Sequence, residues 1–389
     1  MNISMDIETE LKTELVRAEL AKTGADACLV SANVNIYYCT GRIFTGYLYI
    51  PAEGAPVAML KAGNMDGMTV VALRKPEQVP EIISAAGYPQ PENILIELGE
   101  TSWLEAERLR TALKPAVCGD ATAFFRKLRS RKTPAEIAMF RIASERHAAA
   151  YREIPDIFRH GMTDLDFQYA MEYVMRKHGS LGIFRVYGNN MEIFAGSILA
   201  GINAEAVSPY DFAMGGAGAH PSLPIGANGT KLVAGMSLMV DMGGCFTPYI
   251  SDITRTFSIG RLSDAAYAAH AVSIEMHDCF RREVKPGTRC ADIYERCRAA
   301  AERYGLGEWF MGTPRHQAKF VGHGTGLQIN ELPILSPRSG DVVEENMVIA
   351  FEPKFVVPGT GAVGVENTYL VNRDGVENLS TLDENIILL

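Results

Sequence analysis

Four carboxylates set in strand-like apolar runs are the strongest constraint this chain places on its own fold. Asp241 ends Met236-Ser-Leu-Met-Val-Asp241, and Glu352 ends Met347-Val-Ile-Ala-Phe-Glu352. Glu366 lies within Gly364-Val-Glu366-Asn-Thr-Tyr-Leu-Val371, and Asp252 within Ser251-Asp252-Ile-Thr-Arg-Thr-Phe257. A carboxylate in a buried strand is costly unless it is paired or holds a metal. Carboxylates that share a site also repel one another unless a cation is present. A purely structural explanation needs four separate pairings, and only Arg255 and Lys354 stand out as candidate partners. With no matching set of buried Lys or Arg, a metal site is the expectation.

Local spacing sharpens it. Asp241-Met-Gly-Gly starts a turn after a strand, and 251–257 reads as the returning strand of a hairpin. Two carboxylates on adjacent strands can face one pocket. His323 sits in Gly322-His323-Gly324-Thr325-Gly326, where glycines on both sides allow close approach of the loop. A lone histidine is more often a satisfied core or surface residue; beside these carboxylates the ligand reading is favoured. Four negative charges are balanced by two divalent cations, and two such ions roughly 3.5–4 Å apart can clamp a hydroxide and polarise a carbonyl. Oxygen-rich ligands with one imidazole suit Mn, Co, Fe or Zn, with Mn favoured. Cys245 reads as packing.

The remainder of the 389 residues supplies the frame, and that length predicts two domains. The N-terminal part alternates helix and strand. A helix is expected over Glu10–Lys22, a buried strand over Ala27–Ser31, a loop and turn over Asn33–Gly41, and strands at 47–50 and 57–60. The basic stretch Arg126–Lys132 reads as a solvated connector. After it, Thr133-Pro134-Ala135-Glu136 is a capping box that opens a helix and places the domain boundary near here. Further helices are expected over about 264–283 and 291–304.

A net charge of -9 argues against nucleic acid as a partner. The polar, acidic start MNISMDIETELK lacks the pattern of a secretory leader, and no apolar run is long enough to span a bilayer. Seven scattered cysteines without Cys-x-x-Cys suit a reducing compartment, so cytoplasm and no membrane are the expectation.

The motifs Val240-Asp241-Met-Gly-Gly, Ser251-Asp252-Ile-Thr-Arg-Thr-Phe, Gly322-His323-Gly-Thr-Gly-Leu, Phe351-Glu352-Pro353 and Val365-Glu366-Asn resemble, in order and spacing, the five ligand motifs of the pita-bread metallopeptidases. Ten residues separate the two Asp and thirteen the two Glu, as in that superfamily. Upstream, Asp26-Ala-Cys-Leu-Val-Ser and Asn35-Ile-Tyr-Tyr-Cys-Thr-Gly41 resemble the N-terminal domain of the aminopeptidase P, prolidase and creatinase branch. The resemblance implies an α/β chain: a creatinase-like N-terminal domain over 1–128 and an α+β pita-bread catalytic domain over 129–389. It also implies that Asp241 chelates one metal, Asp252 and Glu366 bridge both, and His323 and Glu352 bind the other, with Glu352 also the general base. A homodimer acting on a small peptide or other small molecule is implied too.

Several positions depart from the family pattern. Where its peptidases carry Pro-His, this chain has Pro224-Ile225-Gly226. A second histidine seven after the ligand histidine is Asn330, an arginine two before the last Glu is Gly364, and a histidine four before His323 is Lys319. His220 is weighed as a substitute donor against a plain loop histidine, and Asn330 as an oxyanion donor. The stretch from Tyr187 to Phe194 is expected to wall the pocket. Three functions compete: a two-metal Xaa-Pro peptidase, a metalloenzyme acting on a small non-peptide amide or zwitterion, and a non-catalytic binding relative. The complete ligand set favours the first.

Overall fold

The computed structural model describes residues 5–188, 195–210 and 212–389. The chain divides into two compact units, Met1–Arg129 and Ser130–Leu389.

The first unit is an α/β layer. Its helices are α1 (Met5–Thr23), α2 (Asn33–Thr40), α3 (Val79–Ala85), α4 (Trp103–Ala112) and α5 (Thr122–Ser130). Its strands are β1 (Ala27–Val30), β2 (Thr45–Pro51), β3 (Val57–Ala62), β4 (Thr69–Ala72), β5 (Asn93–Ile96) and β6 (Val117–Asp120). They form one mixed sheet in the order β4-β3-β2-β1-β5-β6. Leu29, Tyr49, Met59, Ile83, Ile96 and Leu109 fill its core. The segment expected as loop and turn over Asn33–Gly41 is helix α2. Gly41 ends it in the left-handed conformation (φ 66°) with its N–H on the carbonyl of Tyr37. Poor intrinsic helix formers hide this helix in the sequence, and burial of Val34, Ile36 and Tyr38 stabilises it.

The second unit opens with α6 (Pro134–Arg152), α7 (Ile154–Ile157) and α8 (Asp164–Lys177). The capping box is present: Thr133 Oγ1 accepts from Glu136 N at 3.3 Å, and Glu136 Oε2 accepts from Thr133 N at 2.7 Å. Next come β7 (Gly196–Ala200), β8 (Met236–Gly244), β9 (Ser251–Ile259), α9 (Asp264–Glu283) and α10 (Cys290–Arg303). A short ribbon, β10 (Gly312–Thr313) and β11 (His316–Gln317), precedes β12 (Gly322–Gly324) and β13 (Glu331–Ile334). The chain closes with β14 (Val348–Phe351), β15 (Lys354–Val357), β16 (Gly361–Gly364), β17 (Asn367–Asn372), β18 (Gly375–Asn378) and β19 (Ile387–Leu388). One sheet has the order β19-β9-β8-β7, a second β13-β12-β14-β17-β18, and β15-β16 form a third pair. No described helix is long and apolar enough to cross a membrane.

Two corrections follow from this topology. The run 364–371 is not one strand. Gly364 ends β16 on β15, and Asn367 begins β17 on β14, so the chain changes sheet at Val365-Glu366. The same change occurs at Glu352-Pro353, between β14 and β15. Both glutamates therefore stand at sheet switch points, side by side. The basic stretch is also not a solvated connector throughout. Arg129 and Lys132 are each 3% exposed. Lys132 Nζ lies 3.1 Å from Glu331 Oε2, a tertiary partner that local pattern cannot show.

Candidate metal centre

The hairpin β8–β9 supplies two of the expected carboxylates. Its antiparallel register pairs Asp241 with Thr254 and Gly243 with Asp252. The hairpin is braced from outside: Tyr151 donates its hydroxyl to Ile253 O at 2.7 Å, and Thr368 Oγ1 accepts from Asp252 N at 2.8 Å. Thr254 pairs with Glu366 through backbone bonds and donates its hydroxyl to Glu366 Oε2 at 2.7 Å. Sequence reasoning passed over Tyr151, Thr254 and Thr368, because a hydroxyl in a helix or a strand carries no chemical signature of its own.

His323 reaches the same place from β12, paired with Ala350 of β14. Its Nδ1 lies 3.1 Å from the carbonyl of Gly324. A carbonyl only accepts, so Nδ1 carries a proton, and Nε2 is the nitrogen left to meet a cation beside the carboxylates. Nε2 is 3.5 Å from Glu352 Oε1 and 3.8 Å from Asp252 Oδ2. Asp252, His323 and Glu366 each offer a ligand atom, and these atoms lie within 4.8 Å of one another. Two carboxylates and an imidazole with Nε2 turned inward fit one divalent cation.

Asp241 and Glu352 have a different neighbour. Lys354, completely buried, extends its ammonium between three carboxylates: 2.8 Å from Asp241 Oδ2, 2.8 Å from Glu352 Oε2 and 2.9 Å from Glu366 Oε2. The expectation of no matching buried cation is corrected here. One ammonium has three donors and meets three carboxylates at once, so four separate pairings are not required. Arg255, the other candidate partner, bonds instead to the carbonyls of Thr254, Glu366 and Asp383 and to Asn367 Oδ1.

Electrostatics follow from this packing. Burial lifts the Asp252 carboxyl well above the usual carboxylate range, and Glu366, Asp241 and Glu352 push it the same way. Asp241 is raised by burial, with Lys354 opposing. For Lys354 burial works against the charge, but Asp241, Glu352 and Glu366 outweigh it and hold the ammonium well above the ordinary lysine value.

The two other candidate catalytic residues make hydrogen bonds to groups other than these carboxylates. His220 is exposed, and its Nδ1 accepts from Ser222 N at 3.1 Å within a local turn. Ile225 is buried. Asn330 uses both ends of its amide on the backbone of one residue: Oδ1 accepts from Tyr187 N and Nδ2 donates to Tyr187 O, each at 2.8 Å. It thereby fixes the start of the segment expected as a pocket wall; residues 189–194 of that wall lie outside the described residues. Glu331, next to Asn330, accepts from Leu327 N at 3.1 Å and Gln328 N at 3.3 Å and so shapes the loop after His323.

Residues 138–373 match the model of metallopeptidase family M24, and residues 12–131 match the creatinase/prolidase N-terminal domain. The chain is 27% identical over 380 residues to an uncharacterized peptidase of Staphylococcus aureus (strain USA300), covering 93% of this chain and 96% of the relative. It is 24% identical over 374 residues to the Xaa-Pro dipeptidase of Pyrococcus furiosus, covering 93% and 95%. In fold it is similar to the solved Xaa-Pro dipeptidase from Bacillus anthracis, with a TM-score of 0.80 at 22% identity over 98% of this chain and 100% of that one.

Proposed function

Since the chain belongs to metallopeptidase family M24, with a creatinase/prolidase N-terminal domain ahead of the catalytic one, we propose that it hydrolyses short peptides at Xaa-Pro bonds. The observation that carries this is the convergence of Asp252, His323 and Glu366 on one cation-sized position, with Glu352 beside it. A divalent cation held there supplies Lewis acidity toward a peptide carbonyl and lowers the pKa of water.

The chain's own groups do the rest. Glu352 has one oxygen held by Lys354, and its other oxygen faces His323. That orientation suits it to take a proton from an attacking water and return it to the leaving amine. Lys354 fixes the rotamer of this base and offsets the negative charge around it. His323 is kept in its Nδ1–H tautomer by Gly324. The five residues Asp241, Asp252, His323, Glu352 and Glu366 have the donor count for two cations, and Lys354 competes for one of the two positions. Manganese, a homodimer implied by the resemblance, and a cytoplasmic setting suggested by the scattered cysteines belong to the same reading.

A second reading has a specific observation behind it. Ile225 offers no polar group, and Asn330 holds Tyr187. Neither side chain can shuttle a proton to or from a peptide substrate, which favours a small amide or zwitterion. The test is the initial rate of the Mn-loaded protein on Xaa-Pro dipeptides and on longer Xaa-Pro peptides, with Asp252→Ala as control. Cleavage that depends on metal and on Asp252 is expected, and the preferred length separates a dipeptidase from an aminopeptidase. Absence of cleavage with metal bound sinks the peptide reading and favours the second.

A further inference from the structure

We propose that Lys354 is a built-in cation that takes the position of a second divalent ion, so that this chain holds one metal per active site, at Asp252, His323 and Glu366. The inference rests on the metal-dependent reading above and deepens it.

The geometry divides the carboxylates by face. Asp241 Oδ2, Glu352 Oε2 and Glu366 Oε2 converge on Lys354 Nζ at 2.8, 2.8 and 2.9 Å. All three ammonium donors are thus matched to charged acceptors. On the other face, Glu352 Oε1 and Asp252 Oδ2 turn to His323 Nε2. A divalent ion binds carboxylate oxygens at about 2.0–2.2 Å. An ion taking the oxygens that Lys354 takes would therefore have to displace the ammonium.

Displacement is opposed by how Lys354 is built in. Its cross-strand partner on β16 is Gly364. A Cβ at 364 would lie 2.8 Å from Lys354 Cα and 3.2 Å from its Cγ, so the glycine leaves the passage through which the lysine stem runs. Gly364 also has a φ of +147°, which other residues rarely adopt. The flanking backbone is clamped: Ser273 donates to Pro353 O at 2.6 Å and accepts from Val365 N at 3.1 Å. Met311 N donates to Lys354 O at 2.9 Å. The lysine side chain is 0% exposed, so an ejected ammonium would have to find another charged partner for a buried charge.

Charge is compatible with this arrangement. Asp241, Asp252, Glu352 and Glu366 carry four negative charges. Lys354 with one divalent ion brings three positive charges and leaves the cluster one charge negative, whereas with two divalent ions it leaves it one charge positive, so the geometry and not the charge count carries the proposal.

The experiment counts metal. Wild-type protein, Lys354→Ala and Lys354→Arg are stripped, titrated with Mn(II), desalted and analysed for Mn per chain; crystals of each are examined for anomalous Mn peaks. One Mn per chain is expected for wild type and Lys354→Arg, and a doubling to two for Lys354→Ala, with the second peak between Asp241 and Glu352. Two Mn, or none, in wild type overturns the proposal whatever the variants do. A correctly folded Lys354→Ala that stays at one Mn also overturns it. The count is independent of substrate: one Mn without Xaa-Pro cleavage sinks the peptidase reading and leaves the lysine in place, whereas two Mn with cleavage does the reverse.

Discussion

Glu97 in the N-terminal unit and Asp252 in the C-terminal unit are carboxylates of similar burial, 1% and 6% exposed, in opposite surroundings. Glu97 Oε2 accepts from the backbone N–H of Ser31 and, at 2.7 Å, of Ala32, and Oε1 accepts from the amide of Asn35. It caps the start of helix α2, where the terminal N–H groups need acceptors and a negative charge is favourable. Asp252 instead faces like charges on Glu366, Asp241 and Glu352, and the imidazole Nε2 of His323 at 3.8 Å. Burial opposes ionisation of both, but for Glu97 hydrogen bonds pull back, whereas the carboxylate neighbours of Asp252 add to the opposition. Burial alone therefore does not mark a functional carboxylate. The sign of what surrounds it does: donors indicate structure, and like charges with a free-facing imidazole indicate a cation.

The largest test of this distinction is at Glu352. Glu352→Gln keeps the shape and the contact with Lys354 but removes the base. Turnover is expected to fall by about 10²–10⁴-fold, with metal content by elemental analysis retained. A near-normal rate removes Glu352 as the proton acceptor. Next comes a crossed pair of variants. Glu97→Ala is expected to cost about 1–3 kcal/mol, because it removes the acceptor of part-buried N–H groups and of the buried Asn35 amide, and to leave metal content unchanged. Asp252→Asn is expected to abolish tight metal binding while leaving metal-free stability unchanged or higher, because one of four like charges is gone. Urea midpoints of the metal-free proteins decide it. If Asp252→Asn is as destabilising as Glu97→Ala, Asp252 is a structural residue and the comparison fails.

How much of this could be read in the sequence depended on whether a residue broke a local rule. Acidic residues in apolar runs violate the strand pattern, and so Asp241, Asp252, Glu352 and Glu366 stand out. The capping box at Thr133 and the helices α9 and α10 have local signatures, and they form where expected. Lys354 violates nothing on its own. Only the pairing of β15 with β16 and the two sheet switches bring three carboxylates to one ammonium. Lys132 and Glu331 are 199 residues apart, and Asn330 and Tyr187 are 143 apart. Such partners are set by tertiary topology, which local periodicity does not encode. Helix α2 was hidden for the converse reason, because packing overrides weak propensity.

The smallest expected effect probes the comparison with protons. Glu97 is held above its ordinary pKa by burial, so the folded chain takes up that proton before the unfolded one, and acidification favours folding there. Buried histidines act in the opposite direction. Burial lowers His147 to about 3 and His270 to about 4. His270 Nε2 bonds the carbonyl of Glu384 at 2.7 Å, and its buried Nδ1 has no partner among the described residues. A second proton would therefore put an uncompensated charge in the interior. The unfolded chain binds that proton near pH 6.5 and the folded chain only near 4, so the stability from His270 is full above pH 6.5 and is lost as pH falls toward 4. The loss at pH 5 is on the order of 1–2 kcal/mol per histidine. His270→Gln should reduce the drop in unfolding free energy between pH 7 and pH 5 by that amount, read from urea unfolding of metal-free protein. An unchanged pH slope would mean that His270 gains a proton without cost, and that burial does not oppose charge in this interior as it is argued to do at Glu97 and Asp252.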